Sequence, residues 1–144
     1  MTDAALPCDD DCIFCKIVSD AIPCHKLYED DHLLALLDVA PLSRGHCLVI
    51  PKGHWDTLDQ VPAPVGGTIG RLLPTLAKAV CEVSGTGAYN VLQNNGAAAH
   101  QAVMHVHFHI IPKTNGDGLD FTWNTRPLED AQAIRDAIVH AMTQ

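Results

Sequence analysis

The chain has 144 residues, 47% of them hydrophobic, with 17 acidic against 9 basic side chains and a formal net charge of −8. That length suits one domain with one sizeable core, and no apolar run approaches the roughly 20 residues that a membrane-spanning helix needs. The acidic balance excludes a basic groove for nucleic acid, so a bound phosphate is expected to be one small ligand held by backbone N–H groups and histidine.

Residues 1–11 are acidic and poor in apolar content, and they are expected to form a mobile tail ahead of a single domain over 12–144. The same stretch is acidic where a secretory signal is basic and apolar, which makes the cytoplasm the expected compartment and its six cysteines thiols or metal ligands. Leu27 to Asp38 reads as two strands around the polar turn Glu29-Asp30-Asp31-His32. Pro41 to Gly45 is a loop, and His46 to Ile50 is a short, mostly apolar strand stopped by Pro51. Residues 62–67 break the pattern. Thr68 then caps a helix to about Val83, with Ile69, Leu72, Leu73, Leu76 and Val80 at helical spacing and Pro74 kinking it or delaying its start. Tyr89 to Gln93 reads as a strand, Asn94 to Ala102 as a loop, and Leu128 to Met142 as a last helix with Ile134, Ile138 and Val139 along one side. Hairpins in the first half and one central helix indicate an α+β domain with an antiparallel sheet.

Two stretches carry chemistry. Met104 to Pro112 alternates His105, His107 and His109 with apolar residues, a period-2 strand signal that places three imidazoles on one face about 7 Å apart. A neutral imidazole needs partners on both ring nitrogens, so three in register point to a site rather than to packing. The second stretch is Cys12-Ile-Phe-Cys15, a C-x2-C pair. That spacing serves metal binding, a redox pair or two buried thiols, and no βαβ context supports the redox reading. Cys8 is expected to be a free exposed thiol, and Cys24, Cys47 and Cys81 small core residues.

His-Val-His-Phe-His-Ile-Ile resembles the His-x-His-x-His-x-x signature of the histidine triad (HIT) superfamily. From about Cys12 to Leu119 the chain looks like a bacterial member of its Hint-like nucleotide-binding branch. The resemblance implies a five-stranded antiparallel sheet with a central and a C-terminal helix, and a homodimer that extends the sheet across two chains. It implies a nucleotidyl hydrolase or transferase acting at the α-phosphate of a nucleoside phosphoramidate or dinucleoside polyphosphate. His107 matches the nucleophile, and His109 and His46 match contacts to phosphate oxygens or the bridging atom. Asp38 matches the acid that binds both ribose hydroxyls, and Asn94 and the Val103 N–H match phosphate-side donors. Gln101 matches a loop glutamine supporting the leaving group. Phe14, Ile17, Leu37 and Val39 match the apolar slot for a purine such as that of AMP. The spacing C-x2-C-x38-H-x50-H, from Cys12 and Cys15 through His54 to His105, resembles the structural zinc signature of one subset of the branch.

The chain departs from the family at His100-Gln101-Ala102, where Gly-Gln-Ser or Gly-Gln-Thr is usual. Ala102 lacks the hydroxyl that can protonate or orient a leaving group, which keeps a second reading open, a nucleotide-binding module with little turnover. A third reading, from another class, puts a catalytic metal on His105 and His107 with an open position. A galactose-phosphate-uridylyltransferase relative is disfavoured, because Gln stands there at the third triad position and His109 stands here.

Overall fold

The computed structural model describes residues 5–144. The elements in chain order are α1 (Ile13–Val18), β1 (Lys26–Glu29), β2 (Leu33–Leu37), β3 (Cys47–Pro51), α2 (Ala63–Ser84), β4 (Tyr89–Leu92), β5 (Phe108–Pro112) and α3 (Ala131–Met142), with single 3-10 turns at Leu58–Gln60 and Ala97–Ala99. The strands form one antiparallel sheet in the order β1-β2-β3-β5-β4.

Both faces of the sheet centre are covered, which explains why β2 and β3 are apolar at nearly every position. Alternate side chains go to opposite faces. Leu33, Ala35, Cys47, Val49 and Ile110 pack against Ile69, Leu76, Ala77 and Val80 of α2. Leu34, Leu36, Leu48 and Ile50 pack against Phe14 and Ile17 of α1 and the thiols of Cys12 and Cys15. The first face is covered by α2, and the second by α1 and the cysteine pair.

Four local differences from the sequence reading have physical causes. α1 was not anticipated; it is six residues long, and the Cys12 thiol caps it by accepting from the Cys15 N–H at 3.5 Å. α2 begins at Ala63 rather than at Thr68, with Pro64 in its first turn, where a missing N–H costs nothing. Thr68 lies inside the helix and donates to the Val65 carbonyl at 2.7 Å. Pro74 leaves the helix unbroken on its exposed side, where water can satisfy the freed carbonyl one turn back. Finally, β5 starts only at Phe108. His105 and His107 precede it in an irregular segment that lies beside the loop after β3, with the Val106 N–H donating to the Trp55 carbonyl at 2.8 Å.

Of the stretch read as a mobile tail, residues 1–4 lie outside the described residues. Pro7 accepts from the His54 N–H at 2.7 Å, and the Asp9 N–H donates to the Cys15 thiol at 3.4 Å, so this part is tied to the domain. Cys8 is exposed and Cys47 fully buried, as expected, whereas Cys24 and Cys81 are only half-buried.

Candidate active site and metal-binding cluster

The breakdown of strand geometry before Phe108 lets the histidines point to different places. His105 turns to the thiols, while His107 and His109 face a cleft of ≈ 420 Å³. That cleft is lined by Phe14, Ile17, Leu36, Leu37, Asp38, Val39, Leu48, Ala102 and Val103 as well.

Backbone partners set the tautomers. The His107 Nδ1 lies 2.7 Å from the carbonyl of His105, an acceptor only, so Nδ1 carries the proton and Nε2 is left bare. The ring is buried and held edge-on by Phe14 and His109, with centroids 5.1 and 5.0 Å away. His46 is fixed the other way. The Leu42 N–H donates to its Nδ1 at 3.0 Å, so its proton is on Nε2 and donates to the His109 Nδ1 at 2.9 Å. His109 must then hold its own proton on Nε2, as the donor that remains. Burial lowers the pKa of His46, His107 and His109, with His109 falling to about 4 as its two neighbouring imidazoles add to the effect. The three rings are therefore neutral at pH 7.

Asp38 ends β2 beside them. Its Oδ1 accepts from the Ala40 N–H at 2.8 Å and its Oδ2 lies 3.4 Å from the His46 Nε2, leaving acceptor capacity at the rim. The Val103 N–H makes no hydrogen bond among the described residues.

Not every candidate faces the cleft. Gln101 is buried, and its amide is engaged with backbone throughout: Nε2 donates to the Asp56 and Val103 carbonyls at 2.6 and 3.0 Å, and Oε1 accepts from the Gly96 N–H at 2.7 Å. It holds the loop rather than a ligand. Asn94 donates to the His100 carbonyl at 3.4 Å and lines, with His100, a separate cavity of ≈ 630 Å³ over β4. Leu37 reaches the cleft but packs on the α2 side of the sheet, as its strand parity requires. Leu36 and Leu48 also line the cleft and were not among the sequence candidates; counting back two from Asp38 along β2 would have found Leu36.

The four residues Cys12, Cys15, His54 and His105 come together in space from three separate parts of the chain, with one donor atom of each within 4.8 Å of the others. The His105 Nδ1 is 3.4 Å from the Cys12 Sγ, 3.6 Å from the Cys15 Sγ and 3.2 Å from the His54 Nδ1; the Cys15 Sγ is 3.4 Å from the His54 Nδ1. The outer nitrogens are spoken for. The His105 Nε2 meets the Pro51 carbonyl at 2.8 Å, and the His54 Nε2 meets the Asp56 carboxylate at 2.8 Å. Both outer nitrogens therefore carry protons, and two bare Nδ1 lone pairs face each other across 3.2 Å. Such lone pairs repel unless a cation sits between them, which is the arrangement second-shell partners impose on metal-binding histidines. Burial pushes the Cys15 thiol up to about 12 and His105 down to about 4, so an ion has to displace thiol protons to bind but meets a neutral imidazole. The group can hold a metal ion. Because His105 belongs to it and His107 faces the cleft, a catalytic metal shared by those two rings does not match the arrangement.

Residues 19–116 match the family model described as the HIT domain. The adenosine 5'-monophosphoramidase hnt1 of Schizosaccharomyces pombe is 48% identical over 130 residues, covering 88% of this chain and 95% of its own length. The adenylylsulfatase HINT3 of Arabidopsis thaliana is 47% identical over 109 residues, and the match spans 76% of this chain but only 55% of the plant protein. Among solved structures, the crystal structure of a HIT family member from Bacillus subtilis superposes with a TM-score of 0.86 at 38% identity, covering 91% of this chain and 96% of that one. Sequence, topology and the clustering of the three histidines agree: the chain belongs to the histidine triad (HIT) family.

Proposed function

We propose that the protein binds a purine nucleotide such as AMP and hydrolyses or transfers the nucleotidyl group of a nucleoside phosphoramidate or dinucleoside polyphosphate, through a nucleotidyl-His107 intermediate. The observation that carries this reading is the bare Nε2 of a neutral, buried His107, presented to a cleft that also holds Asp38. Relatives named as a phosphoramidase and an adenylylsulfatase support the same bond class.

In the first step the Nε2 lone pair attacks the α-phosphorus. A P–N bond forms, the bond to the leaving group breaks, and the departing nitrogen or oxygen takes the electron pair and a proton from solvent, which the attacking water returns in the hydrolytic step. Positive charge then develops on the imidazole, and the His105 carbonyl on Nδ1–H stabilises it. The Nε2–H of His109 and the Val103 N–H donate to phosphate oxygens or the bridging atom, with His46 fixing the orientation of His109. Water then attacks phosphorus, the P–N bond breaks and the nucleoside monophosphate leaves. Asp38 accepts from the ribose hydroxyls, while Phe14, Ile17, Leu36 and Leu48 enclose the base. So apolar a slot discriminates weakly between bases.

The metal is proposed to be zinc with a structural role, one ion per chain. Two thiolates and two imidazoles make a closed S2N2 set, and tetrahedral zinc bonds imply N···N and S···N separations of about 3.3 and 3.5 Å. The corresponding distances of 3.2 Å and 3.4–3.6 Å fit. Its chemistry there is to join the α1 N-terminus, the loop after β3 and the segment before β5. We place the protein in the cytoplasm, where such thiols stay reduced, and read it as a homodimer.

The test is His107→Asn assayed with adenosine phosphoramidate and diadenosine polyphosphates, with intact mass to trap the adenylyl-enzyme. Turnover should fall by several orders of magnitude and the adduct disappear, while AMP binding persists through Asp38 and Val103. Residual turnover within about tenfold of the parent would remove His107 as nucleophile. The reading of a binding module with little turnover is favoured by one observation, the absence of a hydroxyl at Ala102 on the cleft wall.

A further inference from the structure

One thiol beside the metal-binding cluster is not needed by its closed set of four ligands. Cys8 is free and exposed, four residues ahead of Cys12. The segment that carries it is tied to the cluster on both sides. The Pro7 carbonyl accepts from the N–H of His54 at 2.7 Å, and the Asp9 carbonyl accepts from the N–H of Cys12 at 3.0 Å. The Asp9 N–H donates to the Cys15 sulfur itself at 3.4 Å.

That last bond limits how far apart the two cysteines stand. By backbone geometry the Cα of Cys8 is about 2.4 Å from the Asp9 nitrogen, so it lies within about 5.8 Å of the Cys15 Sγ. A side-chain rotation and a shift of roughly 1–2 Å in this exposed segment bring the two sulfurs to the ~2.05 Å of a disulfide. Burial raises the Cys15 pKa to about 12, and hydrogen bonding with the Cys8 thiol is among the smaller contributions to that rise, as expected of neighbouring sulfurs. Both residues line one cavity of ≈ 270 Å³, together with Asp9, Asp10, Lys16 and Ser19. Cys15 is only 4% exposed, so a small molecule in this cavity meets the Cys8 sulfur first and the Cys15 sulfur beyond it.

We propose that Cys8 is an oxidation site built against the metal cluster, where a hydroperoxide drives formation of a Cys8–Cys15 disulfide that removes one of the four metal ligands. The inference rests on the metal reading above and is independent of the nucleotide chemistry. In the first step the Cys8 sulfur attacks a peroxide oxygen. An S–O bond forms, the O–O bond breaks, the sulfur is oxidised by two electrons to a sulfenic acid, and the peroxide is reduced to water or an alcohol. The Cys15 sulfur then attacks the Cys8 sulfur. The S–S bond forms, the S–O bond breaks, and the departing hydroxide takes a proton from solvent to leave as water. Cys12, His54 and His105 remain, an open set of three in place of a closed set of four. Cys12 takes up a proton as the ion departs. Charge selects the oxidant: Asp9, Asp10 and Asp11 follow Cys8 directly and repel an anionic disulfide such as that of glutathione, whereas a small hydroperoxide is neutral.

The experiment uses the full chain loaded with zinc, with metal content measured beforehand, and its Cys8→Ser variant, which leaves the cleft and the four ligands intact. Hydrogen peroxide is added, zinc release is followed with a chromophoric chelator, and disulfides are mapped by mass spectrometry without reduction. Cleavage before Asp9 separates Cys8 from Cys12 and Cys15, and fragmentation tells those two apart. The expected result is a Cys8–Cys15 link that appears in step with release of about one zinc per chain, is reversed by dithiothreitol, and is accompanied by release at least about tenfold slower in Cys8→Ser. Equal release rates in the two proteins would overturn the proposal. So would a Cys12–Cys15 disulfide in the parent, or Cys8 oxidised to a sulfinic acid with the zinc retained. If the protein takes up no zinc, the metal reading falls. The Cys8–Cys15 link is then scored in that protein, where its appearance supports the oxidation site and its absence overturns it.

Discussion

His107 has its pKa lowered by burial, and the carbonyl of His105 offsets this only in part. The proposed attack requires the neutral ring, so activity should be lost as pH falls through the His107 pKa. Because that pKa lies below the ordinary histidine value near 6.5, the acid limb of kcat/KM should lie below pH 6.5, with a flat profile from there to pH 8. A limb centred at or above 6.5 would contradict the buried, neutral nucleophile. Ala102 supplies the second residue-scale prediction. Ala102→Ser should raise kcat on substrates with poor leaving groups and leave nucleotide affinity nearly unchanged, since the hydroxyl acts on the departing atom. Equal changes in kcat and KM, or none, would deny the position that role. At this scale the C-x2-C pair alone left metal, redox and packing readings open, and the family resemblance joined it to the two distant histidines; the four converge in space. Gln101 went the other way: a buried amide satisfies itself on whatever backbone lies near, and sequence does not reveal which.

Among the elements, short apolar runs bounded by turn residues and the helical spacing of α2 were legible, namely β2, β3, β4 and the apolar face of α2. The boundaries that differ are those where a tertiary partner outweighs local preference. The alternation of Met104 to Pro112 reads as one strand, yet the first half of it exchanges sheet pairing for the Trp55 carbonyl and for the metal cluster. α1 was invisible because its cap is a cysteine, and because six residues are too few to show a period. The same short helix makes a prediction. Removing the metal with a chelator, or replacing Cys15 with Ser, should detach α1 from the segment before β5 and lower Tm by roughly 10 °C, as a loss of about 3 kcal/mol implies for a domain of this size. Turnover per folded molecule should change far less. An unaltered melting temperature in chelated protein would rule out a structural ion.

At the scale of the whole molecule, the sheet is a partition, with a purely structural core on one side and two neighbouring sites on the other. Fold class and strand pairing were readable because apolar rows must be buried whatever else happens. The exposure of α3, none of whose residues is buried, was not, since its apolar stripe looks the same whether its partner is its own domain or another chain. His105 is where the two sites meet. Its ring nitrogen faces the thiols, and its carbonyl, 2.7 Å from the His107 Nδ1, orients the proposed nucleophile. One residue that serves both sites makes their occupancies thermodynamically reciprocal: whatever factor the ion contributes to nucleotide affinity, the nucleotide must return to ion affinity. The measurable consequence is that saturating AMP should slow the loss of metal to a chelator, and that metal-free protein should bind AMP more weakly by the factor by which AMP tightens the ion. Loss of metal at the same rate with and without AMP, together with equal AMP affinity in both forms, would show that the carbonyl holds its place without help from the ring. On the proposed reading, oxidation of the thiols would release the ion and so loosen a nucleotide that no thiol touches.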